Sequence, residues 1–250
     1  MSAAIPVLDM QEFVGGTADQ KANFVQRLAL ACRDVGFFYV KGYSKELDDL
    51  SQELDTLGRD FFAHPNGTKN TLNMARSGLH WKGFFELGSE LTNNLPDHKE
   101  GIYFGEDLPL NHPSVERREA MHGPNQWPED AAFSEPLRSR FKPAVLRFMQ
   151  ELTQLGQTIM EGVALSLGLP ADWFRQRFTK QPFTPFRIFH YPSDGAPRGE
   201  RWGVGQHTDY GVLTILKQDK SGGLEVKTRI KDEWIAAPPI ENTCAFLPPL

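Results

Sequence analysis

His207 and Asp209 stand two residues apart, just before the apolar run Val212-Leu213-Thr214-Ile215-Leu216. An imidazole nitrogen and a carboxylate oxygen so placed could supply two ligands of a 2-His-1-carboxylate facial triad. Such a triad holds ferrous iron on one face and leaves the remaining positions open. On a strand, side chains two apart share a face, so both groups would point together into a barrel. His-x-Asp pairs are also common on surfaces. Here the pair follows Gly203-Val204-Gly205-Gln206 and precedes a strand-like run, a setting in which backbone can present ligands to a cavity. The expected third ligand is a later histidine, and none of the seven histidines follows His207.

The other histidines do not replace it on pattern. His190 adjoins Tyr191 in the strand-like segment Phe186 to Pro192, so alternation turns it to the opposite side, as a surface or interlayer residue. Arg187 shares the face of Tyr191, either to meet an anion or to pack beside the barrel. His64, His80, His98, His112 and His122 fall among helices and loops and read as solvated or structural. Cys32 and Cys244 are too few for a disulfide framework and read as buried thiols in a reducing compartment.

With 250 residues, 40% apolar and 24% charged, the chain can bury a substantial core. A net charge of -5 excludes the basic field that nucleic acid or an anionic membrane would need. The opening MSAAIPVLDM lacks the pattern of a secretory leader. No apolar run reaches the ~20 residues of a membrane span. A cytoplasmic location is expected.

Periodicity supplies the elements that must position these groups. Ile5 to Asp9 reads as a short strand. Lys21 to Val35 reads as a helix with Phe24, Leu28, Ala31 and Cys32 on one face, ending at Gly36 before a strand at Phe37 to Val40. Ser44 is placed to cap a helix carrying Leu47, Leu50, Leu54, Leu57 and Phe61, which stops before Pro65. Residues 66–132 read as loops and short elements around a core, with Trp81 and Phe84-Phe85 either buried or lining a substrate pocket. From Glu135 a long helix is expected, its buried face running through Leu137, Phe141, Val145, Phe148, Leu152, Leu155, Ile159 and Val163. Pro143 could set its first turns apart, and Gly168 with Pro170 ends it. After residue 180 the texture turns to β: strands at Phe186–Pro192 and Val212–Lys217, then a hairpin of Leu224–Lys227 and Glu233–Ile235 around residues 229–232. Helices followed by short strands with Gly and Pro turns indicate an α+β fold with a β-barrel or jelly-roll core.

These segments together resemble the isopenicillin N synthase-like branch of the Fe(II)/2-oxoglutarate-dependent dioxygenases. The resemblance rests on Ile5 to Asp9, Ala31 to Val40, Lys99-Glu100-Gly101, Phe186 to Pro192, His207-Thr208-Asp209-Tyr210-Gly211, Leu213 to Leu216, Gly222 to Val226, Trp234-Ile235 and Pro238-Pro239. It runs from residue 5 to about 244 in the family's order. It implies an N-terminal dioxygenase-family domain over 1–130, a scaffold helix over 131–180 and a cupin-like double-stranded β-helix core over 181–250. It implies an oxidoreductase that hydroxylates or desaturates a small organic substrate with O2, turning 2-oxoglutarate into succinate and CO2, with ascorbate as a possible accessory. His207 and Asp209 match the family's iron ligands. Tyr191 matches a tyrosine that often hydrogen-bonds the co-substrate's distal carboxylate, or else is a strand aromatic with its hydroxyl at the rim, and Arg187 is a weaker candidate for an anion contact.

The family's core would continue past Asn242-Thr243 to a distal histidine and an Arg-x-Ser pair, whereas this sequence reads Cys244 to Leu250. The expectation is therefore a truncated form with an incomplete jelly roll, weak iron binding and little turnover. The alternatives are a non-catalytic relative acting as a binding module, and a metal-binding cupin relative that uses another acid or water as ligand. Substrate and oligomeric state are not legible.

Overall fold

A computed structural model describes residues 5–193, 202–209, 211–228 and 232–247. In chain order its strands are β1 (Val7–Asp9), β2 (Phe38–Lys41), β3 (Gly83–Phe85), β4 (Leu91–Thr92), β5 (Leu95–Pro96), β6 (Glu100–Phe104), β7 (Phe186–His190), β8 (Thr214–Leu216), β9 (Glu225–Lys227), β10 (Trp234–Ala236) and β11 (Cys244–Leu247). Its α-helices are α1 (Met10–Val14), α2 (Ala18–Leu30), α3 (Lys45–Ala63), α4 (Asn66–Lys69), α5 (Pro113–Glu116), α6 (Lys142–Ser166) and α7 (Trp173–Arg177). The chain forms two compact units, one from residues 1–51, 150–182 and 208–250, the other from 52–149 and 183–207.

The first unit is built on a four-stranded sheet of order β1-β2-β11-β8. β1 runs parallel to β2, whereas β11 lies antiparallel to both β2 and β8. β11 alternates, burying Cys244 and Phe246, and Phe246 stacks on Phe38 at 5.4 Å between ring centroids. Helix α2 begins three residues before the expected Lys21. Thr17 and Gln20 form a reciprocal capping box there, which satisfies two otherwise orphaned amide groups. Phe24, Leu28 and Ala31 are buried as expected, but Cys32 is only partly so, because a π-helical turn over Ala31–Val35 rotates it off the buried stripe. Gly36, at φ +81°, closes that turn. At the far end of α6, Leu169 N–H reaches Ala164 O and Gly168 N–H reaches Leu165 O, a Schellman closure. The β9–β10 hairpin pairs Ile235 with Val226. Its turn residues 229–231 lie outside the described residues.

The second unit has β6 at the centre of the sheet β3-β6-β7. All five residues of β6 are buried, in a region whose sequence reads as loops. Around it Phe61 stacks against Phe133 and Phe141, and Phe104 against Trp127, forming the aromatic core. Phe84 and Phe85 are buried there, but Trp81 is 57% exposed. Trp81 has a left-handed backbone (φ 54°) at the end of a 3-10 turn, which directs it out of the core. A π-turn over Leu137–Phe141 runs straight into α6 with helical backbone at Pro136 and Lys142, so the helix expected from Glu135 is continuous and Pro143 does not set its first turns apart. On α6 the buried face carries Val145, Phe148, Leu155 and Ile159, while Met160 and Ala164 take the places expected for Leu152 and Val163.

The packing at β6 is tight enough to dictate one residue. A Cβ on Gly101 would lie 2.6 Å from Phe85 Cε1 and 2.8 Å from Phe189 Cδ1. Gly101→Ala is therefore expected to destabilise the protein by about 1–3 kcal/mol, the usual cost of overpacking. A lowered urea midpoint at constant m-value is the readout, and an unchanged midpoint would refute this packing.

Candidate active site

A chain of charged and polar contacts crosses β6 and β7 in the second unit. Glu100 and His190 face each other across β6 and β7, and Glu100 Oε1 lies 2.9 Å from His190 Nδ1. The other carboxylate oxygen accepts from buried Lys69 Nζ at 2.7 Å, and that ammonium also donates to Phe62 O and lies 5.2 Å from the Phe84 ring centroid. His190, expected at the surface or between layers, is thus the outer, half-exposed end of a chain of contacts that runs from Lys69 through Glu100. Charges removed from water need such partners, because a lone one costs several kcal/mol. His64 is structural as expected: Nδ1 meets Asp60 O at 2.8 Å and Nε2 accepts from Ser134 N–H at 3.3 Å.

Arg187 lies opposite Tyr103 in the same strand pair, its guanidinium 4.4 Å from the ring centroid. β7 ends at His190, one residue short of Tyr191, so alternation does not extend to Tyr191. Tyr191 is half exposed, and its ring closely approaches Gly203, where a Cβ would come within 2.5 Å of Tyr191 Cδ1. Desolvation, then the negative charges of Asp97 and Glu90, push its hydroxyl up to about 12. It is therefore a neutral hydrogen-bond donor across the physiological range.

His207 and Asp209 are exposed and lie in irregular backbone, not on a strand. The strand begins only at Thr214, because Gly211 at φ +110° breaks the extended run before it. His207 belongs to the second unit and Asp209 to the first. His207 Nδ1 lies 2.9 Å from Gly205 O. A carbonyl only accepts, so Nδ1 carries the hydrogen, and in the neutral ring the lone pair sits on Nε2. This orientation, with a carboxylate two residues on, fits the N/O donor set that ferrous iron takes. Among the described residues no three His, Cys, Asp or Glu side chains converge as a complete metal site. Tyr210 lies outside the described residues.

Comparison with known proteins supplies the chemistry. Residues 5–130 match the family described as the non-haem dioxygenase in morphine synthesis N-terminal region, and residues 182–248 match the 2OG-Fe(II) oxygenase superfamily. A probable iron/ascorbate oxidoreductase of Dictyostelium discoideum is 38% identical over 255 residues, covering 96% of this chain and 69% of the relative. A 1-aminocyclopropane-1-carboxylate oxidase of Dictyostelium mucoroides is 30% identical, covering 96% and 70%. A full-length Neurospora crassa protein, solved in complex with alpha-KG and thymine, superposes with a TM-score of 0.80 at 25% identity, covering 98% of this chain and 73% of that one. The chain belongs to the Fe(II)/2-oxoglutarate-dependent dioxygenase family, an oxidoreductase class with a cupin-like jelly-roll core that uses iron and 2-oxoglutarate and acts on small molecules. No helix among the described residues is long and apolar enough to cross a membrane.

A difference titration tests the tyrosine's environment. Subtracting the phenolate absorbance of Tyr191→Phe from that of the wild type should show a step near 12. A step centred at the ordinary value of 10.0 would contradict the enclosure of this hydroxyl.

Proposed function

We propose that His207 and Asp209 are the iron ligands of this chain and that Tyr191 binds the far carboxylate of 2-oxoglutarate. The observation that carries this reading is the Gly205 carbonyl on His207 Nδ1, which orients the imidazole with its lone pair on Nε2 two residues before a carboxylate. Carbonyl or carboxylate partners on the second ring nitrogen are the usual support of metal-bound histidines. The neutral Tyr191 hydroxyl donates to an anionic carboxylate. Arg187, its guanidinium held over Tyr103, is a second contact for that anion. Ferrous iron together with 2-oxoglutarate, when bound, supplies the oxygen activation and redox chemistry, and the chain supplies orientation.

The substrate is a small organic molecule that is hydroxylated or desaturated, with O2 consumed and succinate and CO2 released. The relatives' thymine and aminocyclopropane carboxylate support this size class without selecting a member. Residues 1–130, 131–180 and 181–250 then serve as N-terminal domain, scaffold helix and catalytic core. A net charge of -5 suits a cytoplasmic protein without nucleic-acid or membrane partners.

Succinate release from 2-oxoglutarate, measured with Fe(II), O2 and ascorbate, tests the reading. Low but iron-dependent release that falls to background in both His207→Ala and Asp209→Ala is the expected result. Release indifferent to both substitutions would refute the ligand assignment. A folded wild type that releases none would favour a non-catalytic binding module.

A further inference from the structure

The short segment before His207 is tied at several points to one hairpin of the second unit. β4 and β5 are joined by Asn93 and Asn94, both at positive φ (53° and 63°), the conformation of a tight type I′ turn. From this hairpin Asn93 Nδ2 donates to Gln206 O at 2.9 Å. Thr92 closely approaches Gly205, where a Cβ would come within 3.0 Å of Thr92 Cγ2. Just after β5, Asp97 Oδ1 accepts from Gly205 N–H at 3.3 Å, and His98 N–H donates to Trp202 O at 3.1 Å.

Asp97 is 3% exposed and its other oxygen is occupied as well. Asp97 Oδ2 accepts from Lys99 Nζ at 2.7 Å and from Thr92 Oγ1 at 2.9 Å. Lys99, also buried, is shared with Glu90 at 3.2 Å, and Glu90 in turn accepts from the Tyr103 hydroxyl. The carboxylate therefore has a fixed place, and Gly205 N–H is bonded to it. The carbonyl of the same Gly205 holds His207 Nδ1. Amide and carbonyl of one residue thus join a buried carboxylate to an exposed imidazole.

We propose that Asp97 is a positioning residue, which sets the orientation and tautomer of His207 through the backbone of Gly205, with Asn93 as its auxiliary. The proposal rests on His207 being a metal ligand, as argued above. It assigns a role to the buried Asp97–Lys99–Glu90 cluster, which the proposed chemistry otherwise leaves unused. Asp97 anchors the 204–205 peptide unit and Asn93 the 206–207 unit, so without Asp97 the backbone at Gly205 is free to turn about its Cα and the carbonyl of the intervening 205–206 unit no longer holds the Nδ1 hydrogen. The imidazole then relaxes toward the Nε2–H tautomer, which has no lone pair on Nε2.

Two readouts on the intact chain test this: the His207 tautomer in the metal-free protein, from long-range nitrogen–proton NMR assigned against His207→Ala, and Co(II) affinity under anaerobic conditions. In the wild type the His207 hydrogen is expected on Nδ1. In Asp97→Ala it should shift toward Nε2, and Co(II) affinity should fall by about 10–100-fold, the usual effect of losing support behind a ligand. Asn93→Gly removes the auxiliary bond while tolerating the positive φ, so it decides the matter should Asp97→Ala not fold. A smaller loss of affinity with an unchanged melting temperature is expected there. An unaltered tautomer and unaltered affinity in the folded variants would overturn the proposal. Co(II) affinity that survives His207→Ala overturns the ligand reading instead, and the tautomer alone then decides whether the tether exists.

Discussion

The second unit depends on two buried carboxylates at the start of its central strand, each paired with its own lysine. Asp97 is matched by Lys99 and Glu100 by Lys69. Removing charge from water is so costly that neither carboxylate can be buried without a partner, and removing one partner costs more than the pair gains. The two pairs therefore constrain geometry more than they add stability. Glu100 ties β6 to α4 through Lys69 and to β7 through His190, while Asp97 ties the end of the β4–β5 hairpin to the backbone of Gly205.

Aromatic packing surrounds this charged seam. Phe61, Phe84, Phe104, Phe133 and Phe141 fill one side of the unit, and Phe85 and Phe189 close over Gly101 on β6. Lys69 and Lys99 each lie about 5 Å from an aromatic ring centroid, so the ammonium groups are solvated by ring faces as well as by carboxylates. Apolar contacts and charge pairs thus act on the same few residues.

Much of this is legible in the sequence, and the gaps have physical causes. The apolar stripe of α3, the aromatic strand β2, the β9–β10 hairpin and the ordered motifs around His207 and Asp209 follow from local periodicity and punctuation. The strand β6 does not stand out, because Glu100-Gly101-Ile102-Tyr103-Phe104 begins with a charge and a glycine. It is held as a strand by pairing with β3 and β7, with Lys69 bonded to Glu100 and two phenylalanines closing over the glycine. β11 escapes notice because Cys244 to Leu247 is too short to assert itself without β2 and β8 beside it. Asn93-Asn94 carries a turn signal that the pattern of neighbouring residues obscures. Alternation places His207 and Asp209 on a strand, whereas Gly211 keeps them in irregular backbone. The link from Asp97 to Gly205 spans more than a hundred residues, and no local pattern encodes it.

Family membership settles the class of chemistry, whereas the ligand role proposed for His207 rests on its Nδ1 contact and its place beside Asp209. Pulsed electron paramagnetic resonance of the Mn(II)-loaded protein reports directly on nitrogen bound to the metal. The expected spectrum shows modulation from a coordinated imidazole nitrogen that disappears in His207→Ala. Imidazole modulation that persists in that variant, or its absence from the wild type with metal bound, would contradict the central role given to this residue.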